Sequence, residues 1–355
     1  MQKTLDEKLA RIVANPSCND FILADAKDAD MAYGISAPGL KNKDAPEHQR
    51  YRSIQEFRDL IRQVVEQQLV DIMLMSASTS DLLAVRERIF DKSPVTPAIR
   101  ANDTTDIWLA GGQASYGLHP SLPFRTAILD EVMDVGDAPV FGLNRTAVDL
   151  GLYSITFNND AVLDRVSLEA YRAFRDEARG KDFRYFLEVF VPNAPARPVE
   201  DVPRYVNDCI TRTLAGVGSS SRPLFLKIPY FGPAALEQLV SYDSSLVVGI
   251  LGGSAGTTFD AFQMLWEAKK YGARAALFGR KINSAEHQLS FIEQLRALAD
   301  GTIEPADAVK AYHAALEERR ISPHRTLAED LESTNHQTTP AIIRERSGRQ
   351  PLSSR

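Results

Sequence analysis

The sequence predicts a single (β/α)8 barrel, an eight-stranded parallel sheet closed on itself and surrounded by helices. Short, continuously apolar segments of strand type alternate with amphipathic segments of helical period, which is typical of a parallel sheet covered by helices. Eight such units fit within roughly 300 residues, a length suited to this fold. No G-x-G-x-x-G sequence follows the first strand, which argues against a doubly wound nucleotide-binding sheet.

The predicted elements follow one another in regular order along the chain. Strands are predicted near residues 22, 72, 98, 154, 187, 226, 248 and 276. Helices are predicted at residues 1–14, 53–68, 80–90, 167–179, 202–214, 234–241, 259–271, 285–298 and 304–319. Residues 102–139 are the least regular region. We expect the barrel and its amino-terminal helix to occupy residues 1–320, with the polar residues 321–355 as a tail or an oligomer arm.

Composition excludes several classes of function. The chain has 355 residues, of which 44% are hydrophobic, enough for one large core. A net charge of −6 offers no basic surface for nucleic acid or for an anionic membrane. No apolar run approaches the roughly 20 residues that span a bilayer. Cys18 and Cys209 are the only cysteines, so we expect a reducing, cytoplasmic location and neither nucleic-acid nor membrane partners.

Lys227 lies inside an apolar strand and is the leading candidate for a catalytic group. It occupies the middle of the segment PLFLKIPY. Burial of an ammonium is costly and favours the neutral amine, which can attack a ketone or an aldehyde to form an imine. The alternative is a structural lysine paired with Glu188 or Asp25.

Side chains at the carboxyl ends of barrel strands face the active site, which selects the partners of this lysine. Asp25 ends the first strand and Glu188 lies in the fifth, so both are candidates for proton transfer at the imine. Arg100 and Asn158 end the third and fourth strands and are candidate substrate contacts. Lys27 is a rival imine former, but we expect it in an exposed loop.

Two glycine-containing strand ends predict an anion site. The segments LVVGILGGSAGTT and ARAALFGRK end the seventh and eighth strands, where barrels often bind phosphate. The first segment also precedes a helix whose amides can bind an anion. The candidate ligands are Gly252, Gly253, Ser254, Gly279 and Arg280. The alternative is a glycine-permitted turn without a ligand.

The histidines argue against metal-dependent chemistry. The six histidines are scattered, without metal-ligand spacing, and no G-x-S-x-G motif indicates a serine hydrolase. We therefore predict no metal site and no organic cofactor.

Together these segments resemble the class I aldolases of the deoxyribose-phosphate, archaeal-type fructose-bisphosphate and tagatose-bisphosphate aldolase superfamily. The resemblance rests on ILADAKDAD, FLEVFVP, LFLKIPY, GILGGSAGTT and ALFGRKI. It implies an imine on Lys227, with Asp25 matching a catalytic aspartate and Glu188 a strand-five glutamate. The segment GLYSITF lacks the additional lysine of tagatose-bisphosphate aldolases, and Glu188 replaces a tyrosine of the archaeal-type enzymes. Tyr153, on the neighbouring strand, is a candidate substitute for that tyrosine.

The predicted function is a homo-oligomeric class I aldolase that reversibly cleaves a phosphorylated ketose or a related sugar acid. Two alternatives use the same barrel. One is a phosphosugar isomerase or a transaldol-type enzyme. The other is a non-catalytic phosphosugar-binding barrel, in which Lys227 is only a salt-bridge partner.

Overall fold

The computed structural model describes residues 1–42, 44–110, 114–133, 147–253 and 256–334. Eight parallel strands form a closed barrel, which confirms the predicted fold class. Consecutive barrel strands pair with each other. The last strand pairs with the first, with Ile22 opposite Ala275. All eight predicted strand positions fall within observed strands. The strands are β1 (Ile22–Lys27), β2 (Ile72–Met75), β3 (Thr96–Arg100), β4 (Leu150–Thr156), β5 (Arg184–Phe190), β6 (Leu226–Ile228), β7 (Val248–Leu251) and β8 (Ala275–Phe278).

Helices cover the outside of this barrel and close one end of it. Within the described residues they are α1 (Thr4–Ala14), α2 (Asp30–Tyr33), α3 (Glu47–Arg50), α4 (Ile54–Gln67), α5 (Ala77–Ser80), α6 (Leu129–Met133), α7 (Ala161–Gly180), α8 (Val202–Leu214), α9 (Pro233–Tyr242), α10 (Thr258–Lys270), α11 (Arg280–Ser284), α12 (Gln288–Asp300), α13 (Pro305–Glu318) and α14 (Leu327–Asp330). Among these helices, none combines the length and the apolar character needed to cross a bilayer.

Capping residues explain where the observed helix starts differ from the predicted ones. The helix predicted at 80–90 begins at Ala77, because Ser76 accepts a hydrogen bond from the Thr79 amide. It continues as a π-helical turn, Asp81–Arg86. The helix predicted at 167–179 begins six residues earlier, because the carboxylate of Asp160 caps the amides of its first turn.

The core has two layers, which follow from the alternation of side chains along each strand. One cluster fills the inside of the barrel, and a second lies between the strands and the surrounding helices. The inner cluster consists of Ile22, Ala24, Ala26, Ile72, Leu74, Ala98, Leu150, Leu152, Phe186, Phe225, Val247, Ala275 and Leu277, together with Leu5 and Ile12 of α1. Membership of the two clusters therefore shows which way each strand residue points.

Helix α1 closes the amino-terminal end of the barrel. Leu5 is fully buried against the inner cluster. The ammonium of Lys3 donates hydrogen bonds to the carbonyls of Phe90, Ser93 and Val95, at 2.8, 2.8 and 3.0 Å. Apolar side chains and α1 thus fill the lower part of the barrel, so polar chemistry is confined to the carboxyl ends of the strands.

Candidate active site

Lys227 points into the barrel and contacts a carboxylate on the neighbouring strand. Phe225 belongs to the inner cluster and Leu226 to the outer one, so alternation directs Lys227 inwards. Its Nζ lies 2.6 Å from Oε1 of Glu188, the residue directly opposite it in the register of β5 and β6. The Lys227 side chain is 7% exposed and that of Glu188 is 2% exposed. The structure therefore brings these two predicted residues together, above the apolar side chains that fill the amino-terminal part of the barrel.

A serine and an arginine fix the second oxygen of Glu188. Oε2 accepts a hydrogen bond from Oγ of Ser154 at 2.7 Å. Arg100 donates from Nη1 to the same Ser154 Oγ at 3.1 Å, and its Nη2 lies 3.6 Å from Glu188 Oε2. These contacts join β3, β4 and β5 around the carboxylate. Glu188 is therefore held with one oxygen on the lysine and the other on a hydroxyl group.

Asp28 completes this cluster, although the sequence did not single it out. Its Oδ2 accepts a hydrogen bond from Nε of Arg100 at 2.7 Å. Burial raises the pKa of Asp28, but the positive charges of Arg100 and Lys227 outweigh that effect, and the pKa is lowered overall. Asp28 follows β1 and lies two residues beyond the inward-facing Ala26. Strand alternation was the signal that could have identified it.

Asp25 does not join this cluster. Ala24 and Ala26 belong to the inner cluster, so Asp25 and Lys27 point outwards, towards the helices. The two side chains are completely buried, with Lys27 Nζ 3.1 Å from Asp25 Oδ2. Burial raises the pKa of Asp25 and lowers the pKa of Lys27. The opposite charge of the partner partly offsets each of these two shifts. The expectation that Asp25 converges on Lys227 is wrong, and so is the expectation that Lys27 is exposed.

Two other candidates are engaged away from the lysine. The side chain of Asn158 pairs with the backbone of Ser121, accepting from its amide at 2.7 Å and donating to its carbonyl at 2.8 Å. Asn158 therefore holds a rim segment in place rather than presenting a free amide to a ligand. Tyr153 belongs to the outer cluster and stacks on Phe174, with ring centroids 4.5 Å apart. It cannot substitute for a tyrosine inside the barrel.

The glycine-rich turn after β7 depends on glycine at several positions. Gly253 and Gly256 have φ of 57° and 83°, in the left-handed region that side chains disfavour. A Cβ on Gly252 would lie 2.3 Å from the ring of Phe278. Ser254, the other candidate in this turn, lies outside the described residues.

The first amides of α10 are bonded to carboxylates of the chain itself. The amide of Thr257 donates to Asp260 at 2.9 Å, and the amide of Thr258 donates to Asp330 at 2.8 Å. The expectation that these helix amides bind a ligand anion is therefore not supported. Any anion near β7 has to use the turn that precedes the helix.

Arg280 offers a charge beside that turn. It is exposed and directly follows Gly279, and within the described residues it forms no ion pair. Strands β7 and β8 are neighbours, and the Gly252 amide donates to the carbonyl of Leu277 at 2.8 Å. The turn at Gly253 and the start of α11 therefore begin side by side at the barrel mouth.

Two surface cavities lie away from this cluster. One of about 560 Å³ is lined by residues between 35 and 56, and one of about 620 Å³ is lined by residues between 310 and 327. Neither is lined by Lys227 or Arg280. Buried, convergent charges identify the candidate site here, rather than cavity size.

Comparisons with known proteins agree with the barrel architecture. No family model and no curated protein matches the chain. An archaeal fructose 1,6-bisphosphate aldolase of known structure is similar, with a TM-score of 0.58 and 17% identity over 84% of this chain and 100% of its own. A structure of a Schiff base forming fructose-1,6-bisphosphate aldolase has a TM-score of 0.58 and 18% identity, with the same coverage. A protein from Corynebacterium glutamicum has a TM-score of 0.55 and 16% identity, over 85% of this chain and 99% of its own. At these identities the similarity establishes a shared fold.

Proposed function

We propose that this protein is a class I aldolase that forms an imine between Lys227 and the carbonyl of a phosphorylated ketose or a related sugar acid. The observation that carries the proposal is the buried pair of Lys227 and Glu188, with Nζ and Oε1 2.6 Å apart inside the barrel. A nucleophile within hydrogen-bond reach of a group that can accept its proton is what imine formation requires. The fold shared with Schiff base forming aldolases adds support.

The steps follow from these positions. Proton transfer from Lys227 to Glu188 releases the neutral amine, which attacks the carbonyl carbon and gives a carbinolamine. Glu188 then returns a proton to the hydroxyl group, which leaves as water, and a protonated imine remains. Glu188, ionised again, takes the proton of the β-hydroxyl group as the bond between the α- and β-carbons breaks. The electron pair of that bond moves to the imine, which gives a neutral enamine and an aldehyde. Glu188 then returns the proton to the α-carbon of the enamine, and water hydrolyses the resulting imine, which releases the second product and regenerates Lys227 with its proton.

Asp28 and Arg100 provide fixed charges beside this reaction. The lowered pKa of Asp28, in which the charges of Arg100 and Lys227 outweigh the effect of burial, keeps its carboxylate ionised. In our proposal this carboxylate stabilises the cationic imine. Arg100 holds Ser154 and Asp28 in place through hydrogen bonds of 3.1 and 2.7 Å.

The substrate phosphate is proposed to bind at the ends of β7 and β8. Arg280 supplies an exposed positive charge, and Gly253 and Gly279 supply backbone close to it. A Cβ on Gly279 would lie 2.7 Å from the carbonyl oxygen of Ala26, so only glycine fits where the end of β8 meets β1. Ser254 remains a predicted ligand of this site.

Borohydride reduction in the presence of dihydroxyacetone phosphate tests the proposal. Reduction should attach the substrate carbon skeleton to the protein, and peptide mapping should place the adduct on Lys227. Mapping also distinguishes Lys227 from the buried Lys27 without any substitution. A Lys227→Ala variant should give no adduct. An adduct on another lysine, or wild-type labelling of Lys227→Ala, would refute the assignment.

One alternative has direct support. A lysine and a glutamate 2.6 Å apart also have the geometry of a structural ion pair. The non-catalytic phosphosugar-binding barrel therefore predicts ligand binding in calorimetry, no adduct after reduction and no turnover. Borohydride reduction and an assay of turnover therefore separate it from the aldolase.

A further inference from the structure

We propose that the carboxyl-terminal segment 326–334, which we term the strap, positions the end of the glycine-rich turn, Gly256 and Thr257, for phosphate binding, and that Asp330 is its central positioning residue. This inference rests on the anion site proposed above. It assigns a task to residues that the sequence indicated only as part of a polar tail.

The strap binds the point where the turn becomes helix α10. Oδ1 of Asp330 accepts a hydrogen bond from the Thr258 amide at 2.8 Å. Beside it, Oγ1 of Thr257 donates to the carbonyl of Glu332 at 2.8 Å. Asp330 is 3% exposed. A carboxylate bonded to an amide at a helix start is stabilised by the helix dipole, so this contact is a strong one.

A second group of contacts passes through Asp260. Its Oδ1 accepts hydrogen bonds from Oγ of Ser333 at 3.1 Å and from the amide of Thr334 at 3.2 Å. A Cβ on Gly256 would lie 2.2 Å from Oδ2 of the same carboxylate, so the turn packs directly against it. Because the strap fixes Asp260, it also limits where Gly256 can lie.

Asp330 is itself held in place. His313 Nε2 lies 3.0 Å from its Oδ2, and Arg325 Nη1 lies 3.8 Å from its Oδ1. Burial raises the pKa of Asp330, but the hydrogen bonds from Thr258 and His313 outweigh that effect and the pKa is lowered overall. The residue therefore carries its charge at neutral pH.

A lysine holds the same peptide group from the other side. Lys281 Nζ donates to the carbonyls of Gly256 and Thr257, at 2.7 and 3.0 Å. The peptide group between Thr257 and Thr258 thus has its carbonyl on a cation and its N–H on the Asp330 anion. Lys281 directly follows Arg280, so its hydrogen bonds fix Gly256 and Thr257 relative to the arginine proposed to bind phosphate. Loss of Asp330 should free the turn and weaken phosphate binding without disturbing Lys227.

Trapping by borohydride with two substrates tests this inference. Dihydroxyacetone phosphate carries the phosphate group, and dihydroxyacetone lacks it. In Asp330→Ala, the dihydroxyacetone phosphate concentration for half-maximal trapping should rise about tenfold, a loss expected for one charge-assisted hydrogen bond. The maximal trapping and the trapping with dihydroxyacetone should stay at wild-type level. A merely structural role would alter both substrates alike.

Two variants complete the design. Asp330→Asn keeps an acceptor for the Thr258 amide and should bind the phosphorylated substrate within about threefold of wild type, because a neutral hydrogen bond remains. Glu332→Gln alters a neighbouring carboxylate whose strap contact is made by its backbone, and should behave as wild type. Equal half-maximal concentrations for wild type and Asp330→Ala would overturn the inference. So would equal losses with both substrates.

A further measurement separates this inference from the proposed chemistry. If borohydride traps neither substrate on the wild-type protein, the aldolase assignment fails. Calorimetric titration with inorganic phosphate then tests whether the strap positions an anion site. About tenfold weaker binding by Asp330→Ala than by wild type would support it. Equal affinity, or no binding by wild type, would overturn it.

Discussion

At the residue scale, the candidate site is a buried network in which each charge has an opposite partner. Lys227 faces Glu188, and Arg100 faces Asp28 as well as Glu188. Removal of one member of such a network leaves an uncompensated buried charge, which costs more than the pair contributes. Substitutions here should therefore keep the shape of the side chain and change only its protonation chemistry.

Glu188→Gln is the substitution that separates proton transfer from packing. Glutamine can keep a contact to Ser154 but cannot accept a proton from Lys227. We expect kcat of the proposed aldol reaction to fall by roughly 10²–10⁴-fold, the usual contribution of a general acid–base group. Steady-state assays on wild type and on Glu237→Gln, an exposed carboxylate on α9, supply the comparison. Unchanged kcat in Glu188→Gln would remove this residue from the mechanism.

The pair of Asp25 and Lys27 should contribute to stability rather than to catalysis. Lys27→Met leaves a buried carboxylate without its partner, and the free energy of unfolding should fall by about 3–5 kcal/mol. A double variant, Asp25→Asn with Lys27→Met, should recover most of this loss because no charge remains. Urea denaturation of the single and double variants measures both effects. A single variant as stable as wild type would contradict this account.

Sequence reasoning at this scale predicted that Lys227 and Glu188 lie together inside the barrel, but it placed Asp25 on the wrong side of β1. Lys227 and Glu188 stand within apolar runs, where a charge is conspicuous. The segment ILADAKDAD contains three aspartates and a lysine within its last six residues, and only the phase of the pleat decides which of them faces inwards. A one-residue error in that phase exchanges Asp25 for Asp28.

At the element scale, the end of the turn between β7 and α10, Gly256 and Thr257, is held by two elements that follow it in the chain. Lys281 of α11 binds its carbonyls, and Asp330 at the end of α14 binds the first helix amide. The glycines of this turn were predictable because they stand directly after a strand. The Asp330 contact spans 72 residues, and no local pattern marks such a pair.

Lys281 should make the free energy of unfolding depend on pH in the alkaline range. Burial, followed by the positive charge of Arg325, lowers the pKa of Lys281 to about 8 from an ordinary value of 10.5. Between these values the unfolded chain binds more protons than the folded one, so this residue makes the free energy of unfolding rise with pH. The rise should amount to at most about 3 kcal/mol.

Lys281→Met isolates this contribution from other groups that titrate in the same range. Denaturation of wild type and variant at pH 7.5 to 10.5 should show their difference in unfolding free energy shifting in favour of wild type as the pH rises. A difference that stays constant over this range would mean that the ammonium is not desolvated in the folded protein.

At the scale of the whole molecule, the residues that stabilise the fold and the charged candidate-site residues lie at opposite ends of the barrel. Helix α1 and the inner apolar cluster form the floor, and the charged cluster lies above them. Alternating apolar strands and amphipathic helices were sufficient to predict this architecture. Tertiary contacts decided the rest, including the folding of residues 326–334 against α10, where the sequence shows only polar composition.

Leu5→Ala tests the role of the floor. Leu5 is fully buried in the inner cluster, so its truncation should lower the free energy of unfolding by about 2–5 kcal/mol. Activity per folded molecule should not change, because Lys227 lies at the other end of the barrel. Val13→Ala, on the same helix but 71% exposed, should stay within about 0.5 kcal/mol of wild type. Chemical denaturation measures both variants, and equal losses would contradict a sealing role for Leu5.

The burial of Glu188 should limit how fast a proton on its carboxyl group exchanges with bulk water during turnover. This residue is 1% exposed, and a substrate bound above it would shield its carboxyl group from bulk water. In the reverse direction, a deuteron that Glu188 removes from the α-carbon of the imine would then be returned to that carbon before solvent protons could dilute it. Retention of deuterium at that carbon would thus show that the proton stays within the closed site between its removal and its return.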